Sequence, residues 1–210
     1  QVAKLTASDA AANDEFGISV AIAGGTVVIG ADYDTHDGGF WSGSVYVFRT
    51  SDGGATYGQV AKLTASDAAS NDYFGNSVAI DGGTVVVGAF NDGNTGVTFG
   101  GSGSAYVCRT TDGGATYAQV AKLTASDAAA EDYFGSSMAI DGSTVAIRGG
   151  GSVYILRTTD GGGTWSQVAK IVSGGVSIGI SGDVVVAGAS GDSSYANSAG
   201  AVYVFRTTDG

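Results

Sequence analysis

One phrase governs this chain. QVAK stands at Gln1, Gln59, Gln119 and Gln167, and three further phrases return between its copies in a fixed order. The first of these is FGISVAI from Phe16, repeated as FGNSVAI from Phe74 and FGSSMAI from Phe134. Then come TVVIGA, TVVVGA, TVAIRG and VVVAGA, and after them GSVYVFRT, GSAYVCRT, GSVYILRT and GAVYVFRT. Self-similarity of this kind means one supersecondary unit used four times, each copy burying its apolar surface against the next.

The phrases are rich in Val, Ile, Tyr and Phe and are divided by Gly and Asp, which is the punctuation of strands and tight turns. Helical spacing of apolar residues is absent. VYVF and TVVVGA are apolar on both faces, so each strand needs cover on both sides, which excludes a sheet with one wet face. Four short strands per repeat, stacked sheet upon sheet, predict an all-β, four-bladed β-propeller of four-stranded antiparallel blades in a single domain spanning 1–210. The repeats start near residues 1, 59, 119 and 167.

The turns agree. TSDGGATY (50–57), TTDGGATY (110–117) and TTDGGGTW (158–165) resemble the Asp-box, Ser/Thr-x-Asp-x-Gly-x-Thr-aromatic. Its aspartate accepts backbone N–H groups, its glycines take positive φ, and its aromatic covers the turn, so the motif predicts a hairpin, and the resemblance implies a turn-stabilising role away from catalysis. The whole unit, KLTASDAAANDEFGISVAI…TVVIGA…GSVYVFR, resembles the FG-GAP repeat, the blade of integrin-α-type propellers. Phe16-Gly17, Phe74-Gly75 and Phe134-Gly135 carry its FG; Gly30-Ala31, Gly88-Ala89 and Gly188-Ala189 carry its GA. Asp32, Phe90 and Ser190 replace the proline that follows GA in that family, Arg148-Gly149 stands at GA in repeat three, and Gly174-Gly175 stands at FG in repeat four. Most copies of that family belong to seven-bladed propellers, whereas four are present here.

The chain opens with a QVAKLT phrase and ends, at Asp209-Gly210, midway through a fourth Asp-box. The expected closure pairs Gln1–Thr6 with Gly200–Thr207 as the outer strand of the last blade, leaving no sheet edge open. The link before blade four, Val172–Gly175, is short for a crossing of three strand spacings, so blade four is where the pattern is weakest. Val27, Ile29, Val45, Val47, Val85, Val87, Tyr106, Val153, Ile155, Val202 and Val204 are expected between blades.

Composition narrows function. The net charge is −11, and eight of nine basic residues recur at equivalent positions; Arg148 alone is unpatterned. No basic patch remains for phosphates, so nucleic acid is not an expected partner, and no apolar run is long enough for a helix to insert into a membrane. Cys108 aligns with Phe48, Leu156 and Phe205 and reads as a core residue; His36 is the sole histidine. Neither makes a nucleophile–base pair, and no enzyme is expected. The loop DYDTHDGG resembles a calcium loop, with Asp32, Asp34 and Asp37 as candidate metal ligands and calcium as the one cofactor in view; a plain surface loop is the alternative. Asp9/Asp14, Asp67/Asp72 and Asp127/Asp132 read as turn and capping residues.

The chain begins with Gln and carries no Asn-x-Ser/Thr sequon. A processed secreted protein, or a piece of a longer one, is expected. Together these features predict a non-enzymatic extracellular or cell-surface adhesion or scaffolding module whose loops bind a protein or glycan. The alternative is a structural subunit of an extracellular assembly built by strand exchange; a glycan-processing enzyme is the remaining reading.

Overall fold

In the computed structural model the described residues are all of 1–210 except 94–98, 173, 175–176, 195 and 207–210. Among the described residues fifteen strands form four antiparallel sheets in chain order. Blade one holds β1 (Val20–Ala23), β2 (Thr26–Ala31), β3 (Ser44–Arg49) and β4 (Gly58–Leu63). Blade two holds β5 (Phe74–Asp81), β6 (Thr84–Ala89), β7 (Ser104–Arg109) and β8 (Ala118–Leu123). Blade three holds β9 (Met138–Asp141), β10 (Thr144–Gly149), β11 (Ser152–Arg157) and β12 (Ser166–Val172). Blade four holds β13 (Ser177–Ser181), β14 (Val184–Ala189) and β15 (Ala201–Arg206). Each predicted phrase except the opening Gln1–Thr6 supplies a strand of a meandering blade, and in the first three blades the pair joined by the Asp-box carries a bulge at one repeat position: Val47/Phe48, Val107/Cys108 and Ile155/Leu156.

The core lies between blades, because both faces of the middle strands are apolar. Val28, Val45 and Val47 of blade one meet Val85, Val87, Tyr106 and Cys108 of blade two. Val86, Ala105 and Val107 meet Val145, Ile147, Tyr154 and Leu156 in the next joint, and Ala146, Val153 and Ile155 meet Val185 and Ala187 in the last.

The repeat glycines have a packing reason. A Cβ on Gly30 would lie 1.9 Å from the Gly75 carbonyl oxygen, and one on Gly88 would lie 2.0 Å from that of Gly135. The GA glycine of one blade is therefore the seat for the FG carbonyl of the next. Ser19 and Ser77 donate their hydroxyls to the same two carbonyls at 2.7 and 2.5 Å.

The expected closure is not formed. The fourth sheet has three strands among the described residues, and residues 1–6 form no ladder with β15. Leu5 and Ala7 instead pack on Ile29, Tyr46 and Phe48, as Leu63 and Ala65 pack in the following joint. The opening phrase thus stays with the blade it leads into. Val202 and Val204, expected in the core, are each 67% exposed, because no sheet covers that face of blade four. Val27 is half-buried, and the other core residues named from sequence are buried. The half Asp-box at 207–210 lies outside the described residues, as do residues 173 and 175 of the short link into blade four.

Candidate ligand-binding face

Two sets of loops meet at one end of the blades: the crossovers that enter each first strand, and the loops joining its second and third strands. Backbone hydrogen bonds lock them together. Tyr73 N donates to Trp41 O at 3.2 Å and Phe74 N to Ser42 O at 3.0 Å; one repeat later Phe134 N donates to Ser102 O at 2.8 Å. The Asp-box turns occupy the opposite end. There Asp52 accepts from Thr56 N and Oγ1 at 2.9 and 2.6 Å, and Asp112 and Asp160 repeat the pattern. Those bonds, led by the threonines, hold all three carboxyls well below the usual range. The turns are structural, as expected.

The acidic residues of the loop end are mostly committed to the blades. Lys62 Nζ pairs with Asp9 at 2.6 Å and Asp34 at 2.7 Å, over the ring of Tyr46 at 5.2 Å. Burial works against the Lys62 charge, but the bonds it donates to Asp34 and Asp9 outweigh it, and its pKa is raised. Lys122 repeats this with Asp67 and Asp92 over Tyr106, and Lys170 pairs with Asp127 over Tyr154. Asp14, Asp72 and Asp132 cap their crossovers by accepting from Ala11, Ala69 and Ala129 N.

The candidate metal ligands are not brought together. Asp34 faces Lys62, Asp32 takes a hydrogen bond from Asn76 Nδ2 at 3.1 Å, and Asp37 is exposed. Among the described residues no group of three or more His, Cys, Asp or Glu side chains is placed to hold a metal ion. Spacing alone could not reveal this, because Lys62 is on a strand two turns downstream. His36 is spent on its own loop: Nδ1 accepts from Gly38 N and Nε2 meets Gly43 O, both at 3.0 Å. Cys108 is buried, and burial pushes its thiol up to about 12.

What the residues assemble, and the sequence reading missed, is an aromatic surface. Tyr33 lies 4.8 Å from Trp41 and 5.4 Å from Tyr73; Tyr73 stacks on Phe90 at 5.1 Å and Phe99 at 5.9 Å; Phe90 reaches Tyr133 at 5.9 Å. Phe40, against Trp41, and Phe99 are 54% and 55% exposed. Trp41, Tyr73 and Tyr133 hold φ of 54°, 58° and 52°, a left-handed conformation that is costly for bulky side chains and clusters at binding sites. The Tyr73 hydroxyl and Asp32 Oδ1 are buried without hydrogen-bond partners among the described residues. Burial, then the proximity of Tyr33 and Asp32, raises the Tyr73 pKa. Beside this surface a cleft of about 270 Å³ is lined by Asn76, Phe90, Phe99, Tyr133, Ser136 and Arg148. Arg148 Nη1 donates to Ser136 Oγ at 2.7 Å, so the one unpatterned base of the sequence lies in the wall of the cleft. The only sequence signal was tyrosine before FG in repeats two and three and aromatics inserted in the second loops.

No curated protein matches the chain in sequence. Among solved structures, the computationally designed Ika4 protein is similar at 15% identity and a TM-score of 0.57, over 98% of this chain and 97% of that one. A Bacteroides uniformis protein provisionally named a 6-phosphogluconolactonase is similar at 13% identity and a TM-score of 0.57, over 92% of this chain and 54% of that one. At these identities the likeness is one of fold. The FG-GAP repeat model matches residues 1–48, 57–108 and 117–156, well over half of the chain, on the FG, GA and Gly-Ser-x-Tyr phrases that build the joints described above. The chain belongs to the FG-GAP repeat family.

Proposed function

We propose that this protein is a non-enzymatic adhesion or scaffolding module of the cell surface or extracellular space, and that it binds a glycan through the aromatic loop end. The observation that carries the reading is the run of aromatic rings from Phe40 to Tyr133, exposed at Phe40 and Phe99, beside a cleft with Asn76, Ser136 and Arg148 in its wall. Aromatic faces bury the C–H faces of a sugar ring, while a few fixed donors read its hydroxyls, the usual division of labour in a small-ligand site. Arg148 adds a donor suited to a sugar carboxylate. The extracellular placement is supported by the family and by the acidic surface. No helix among the described residues is long and apolar enough to cross a membrane.

The test is calorimetric titration with a panel of neutral and acidic oligosaccharides. Binding should appear for at least one of them, and Phe99→Ala and Tyr133→Ala should each weaken it about tenfold, the loss of one stacking contact. Arg148→Met should weaken acidic members selectively. A panel with no binder, or a binder indifferent to all three variants, overturns the glycan reading.

A further inference from the structure

Nine basic residues stand against twenty acidic ones in this chain. Lys62, Lys122, Lys170 and Arg206 each hold an aspartate. Arg49 and Arg109, which end β3 and β7, form no ion pair and no side-chain hydrogen bond among the described residues. Both are half-buried, and the Nε of each is buried without a partner. A guanidinium drawn partly out of water and left unpaired is costly, although acids are in excess here. Each arginine lies across the Asp-box of the next blade. A Cβ on Gly114 would fall 2.9 Å from Arg49 Cζ, and one on Gly162 would fall 3.0 Å from Arg109 Cδ and 3.3 Å from its Nε and Nη1.

The two arginines differ in their surroundings. In the joint between blades one and two, Tyr117 packs on the core and its hydroxyl lies beside that of Thr26. In the joint between blades two and three the equivalent aromatic is Trp165, which turns back and donates Nε1 to Gly162 O at 3.1 Å. Thr84, equivalent to Thr26, is half-buried where Thr26 is buried. A cleft of about 270 Å³ opens there, with Asp81, Thr84, Arg109, Ser143 and Trp165 in its wall. Asp81 accepts from Gly142 N at 2.7 Å and makes no ion pair with Arg109. Both blades that form the cleft have all four strands, and it lies at the end opposite the aromatic loops.

We propose that this cleft is a second binding site, for a single hexuronic acid residue. Arg109 takes the carboxylate, Asp81 and the Thr84 and Ser143 hydroxyls meet the sugar hydroxyls, and Trp165 covers a C–H face. An unpaired guanidinium calls for an anion. The carboxylate of Asp81 beside it calls for hydroxyl donors on the same ligand and repels a bare oxyanion. The volume lies just below the usual range for ligand pockets, roughly 300–1,000 Å³, which suits one sugar residue and not a chain. This reading does not rest on the loop-end site.

Trp165 is one of two tryptophans, so Trp41→Phe leaves it as the sole indole reporter. That variant is titrated with glucuronate, with galacturonate and with a disaccharide ending in either. At least one should change the Trp165 emission saturably, and the disaccharide separates a glycan end from a free sugar acid. Glucose, galactose and inorganic sulfate should bind at least about tenfold more weakly. Arg109→Met keeps the stem across Gly162 and removes the charge, and should weaken binding at least about tenfold; Arg49→Met, the same change one joint earlier, should not. Ser143→Tyr, at an exposed position, should block the cleft with melting unchanged. No saturable change with any uronate overturns the proposal. So does equal binding of sulfate, or binding indifferent to Arg109→Met and Ser143→Tyr. Because Trp165 reports the Asp-box end alone, failure of the loop-end reading in its own titration leaves this result distinct.

Discussion

The Ser19 hydroxyl lies 2.7 Å from the Gly75 carbonyl oxygen, across the joint between blades one and two, and a Cβ on Gly30 would fall 1.9 Å from that same oxygen. One carbonyl thus explains two phrases of the repeat. The FG glycine, at φ 96° for Gly75, turns its carbonyl toward the preceding blade; the GA glycine leaves room for it; the serine of FGxS satisfies it. Sequence-distant repeats are welded through backbone, so the joint tolerates little added volume.

Gly88→Ala is therefore expected to be among the most damaging single substitutions. Its methyl group would lie 2.0 Å from the Gly135 oxygen and 2.5 Å from Ser77 Oγ, so blades two and three must part. The cost should be on the order of 3 kcal/mol, the upper range for overpacking, against about 1 kcal/mol for Ser77→Ala, which removes one hydrogen bond. Urea denaturation measures both. Equal losses would mean that the joint relaxes around the methyl.

Asp34 decides between a metal loop and an ionic brace. Its carboxylate is buried and 2.7 Å from Lys62 Nζ, whose own side chain is 27% exposed. Asp34→Ala leaves Lys62 with the exposed Asp9 alone, and the loss should be about 1–2 kcal/mol, less than for a fully buried pair because solvent reaches the lysine. Lys62→Met should cost a similar amount, and the double variant less than the two combined. Thermal melting in chelator and in millimolar calcium should coincide for the parent chain. A calcium-dependent rise that Asp34→Ala abolishes would restore the metal reading.

The strands, the Asp-box hairpins and the inter-blade core of the first three blades are legible in the sequence because each rests on local pattern repeated with the same neighbours. Val202 and Val204 carry the same pattern as Val45 and Val47 and yet are exposed, because burial there depends on what faces the fourth blade, which no residue of the repeat encodes. The aromatic surface was illegible for a related reason. Tyr33, Tyr73 and Tyr133 look like scattered loop residues until the crossover of one blade is hydrogen-bonded to the loop of the blade before it. The surroundings of Asp32, Asp34 and Asp37 were illegible because ligand spacing is a property of sequence, whereas Asp34's partner Lys62 arrives from β4.

Asp72 gives the protein an acid-side signature. Its side chain is buried beneath the blade-two crossover, and burial pushes its carboxyl up to about 6, with Asp92 and Asp67 adding to the rise while the Ala69 N–H and Lys122 oppose it. In the unfolded chain it would titrate near 3.8. Below that value the group is neutral in both states and costs nothing; as pH rises toward 6 only the unfolded state ionises, and stability is lost; above 6 the loss is complete. The Asp-box carboxyls Asp52, Asp112 and Asp160 have the opposite sign: their contribution is present above the unfolded value and disappears as pH falls below it. Stability should therefore climb as pH drops from about 6 to about 4 and fall at lower pH. Asp32, also raised by burial, adds to the climb. General relief of the negative charge would act in the same direction, so the decisive quantity is the difference between the parent and Asp72→Asn. The amide can still accept from Ala69 N without ionising. That difference should favour the variant at pH 7 by at most about 3 kcal/mol and vanish near pH 4. Melting temperatures of both proteins across this range measure it, and a difference that does not change with pH would show that folding leaves the Asp72 pKa unshifted.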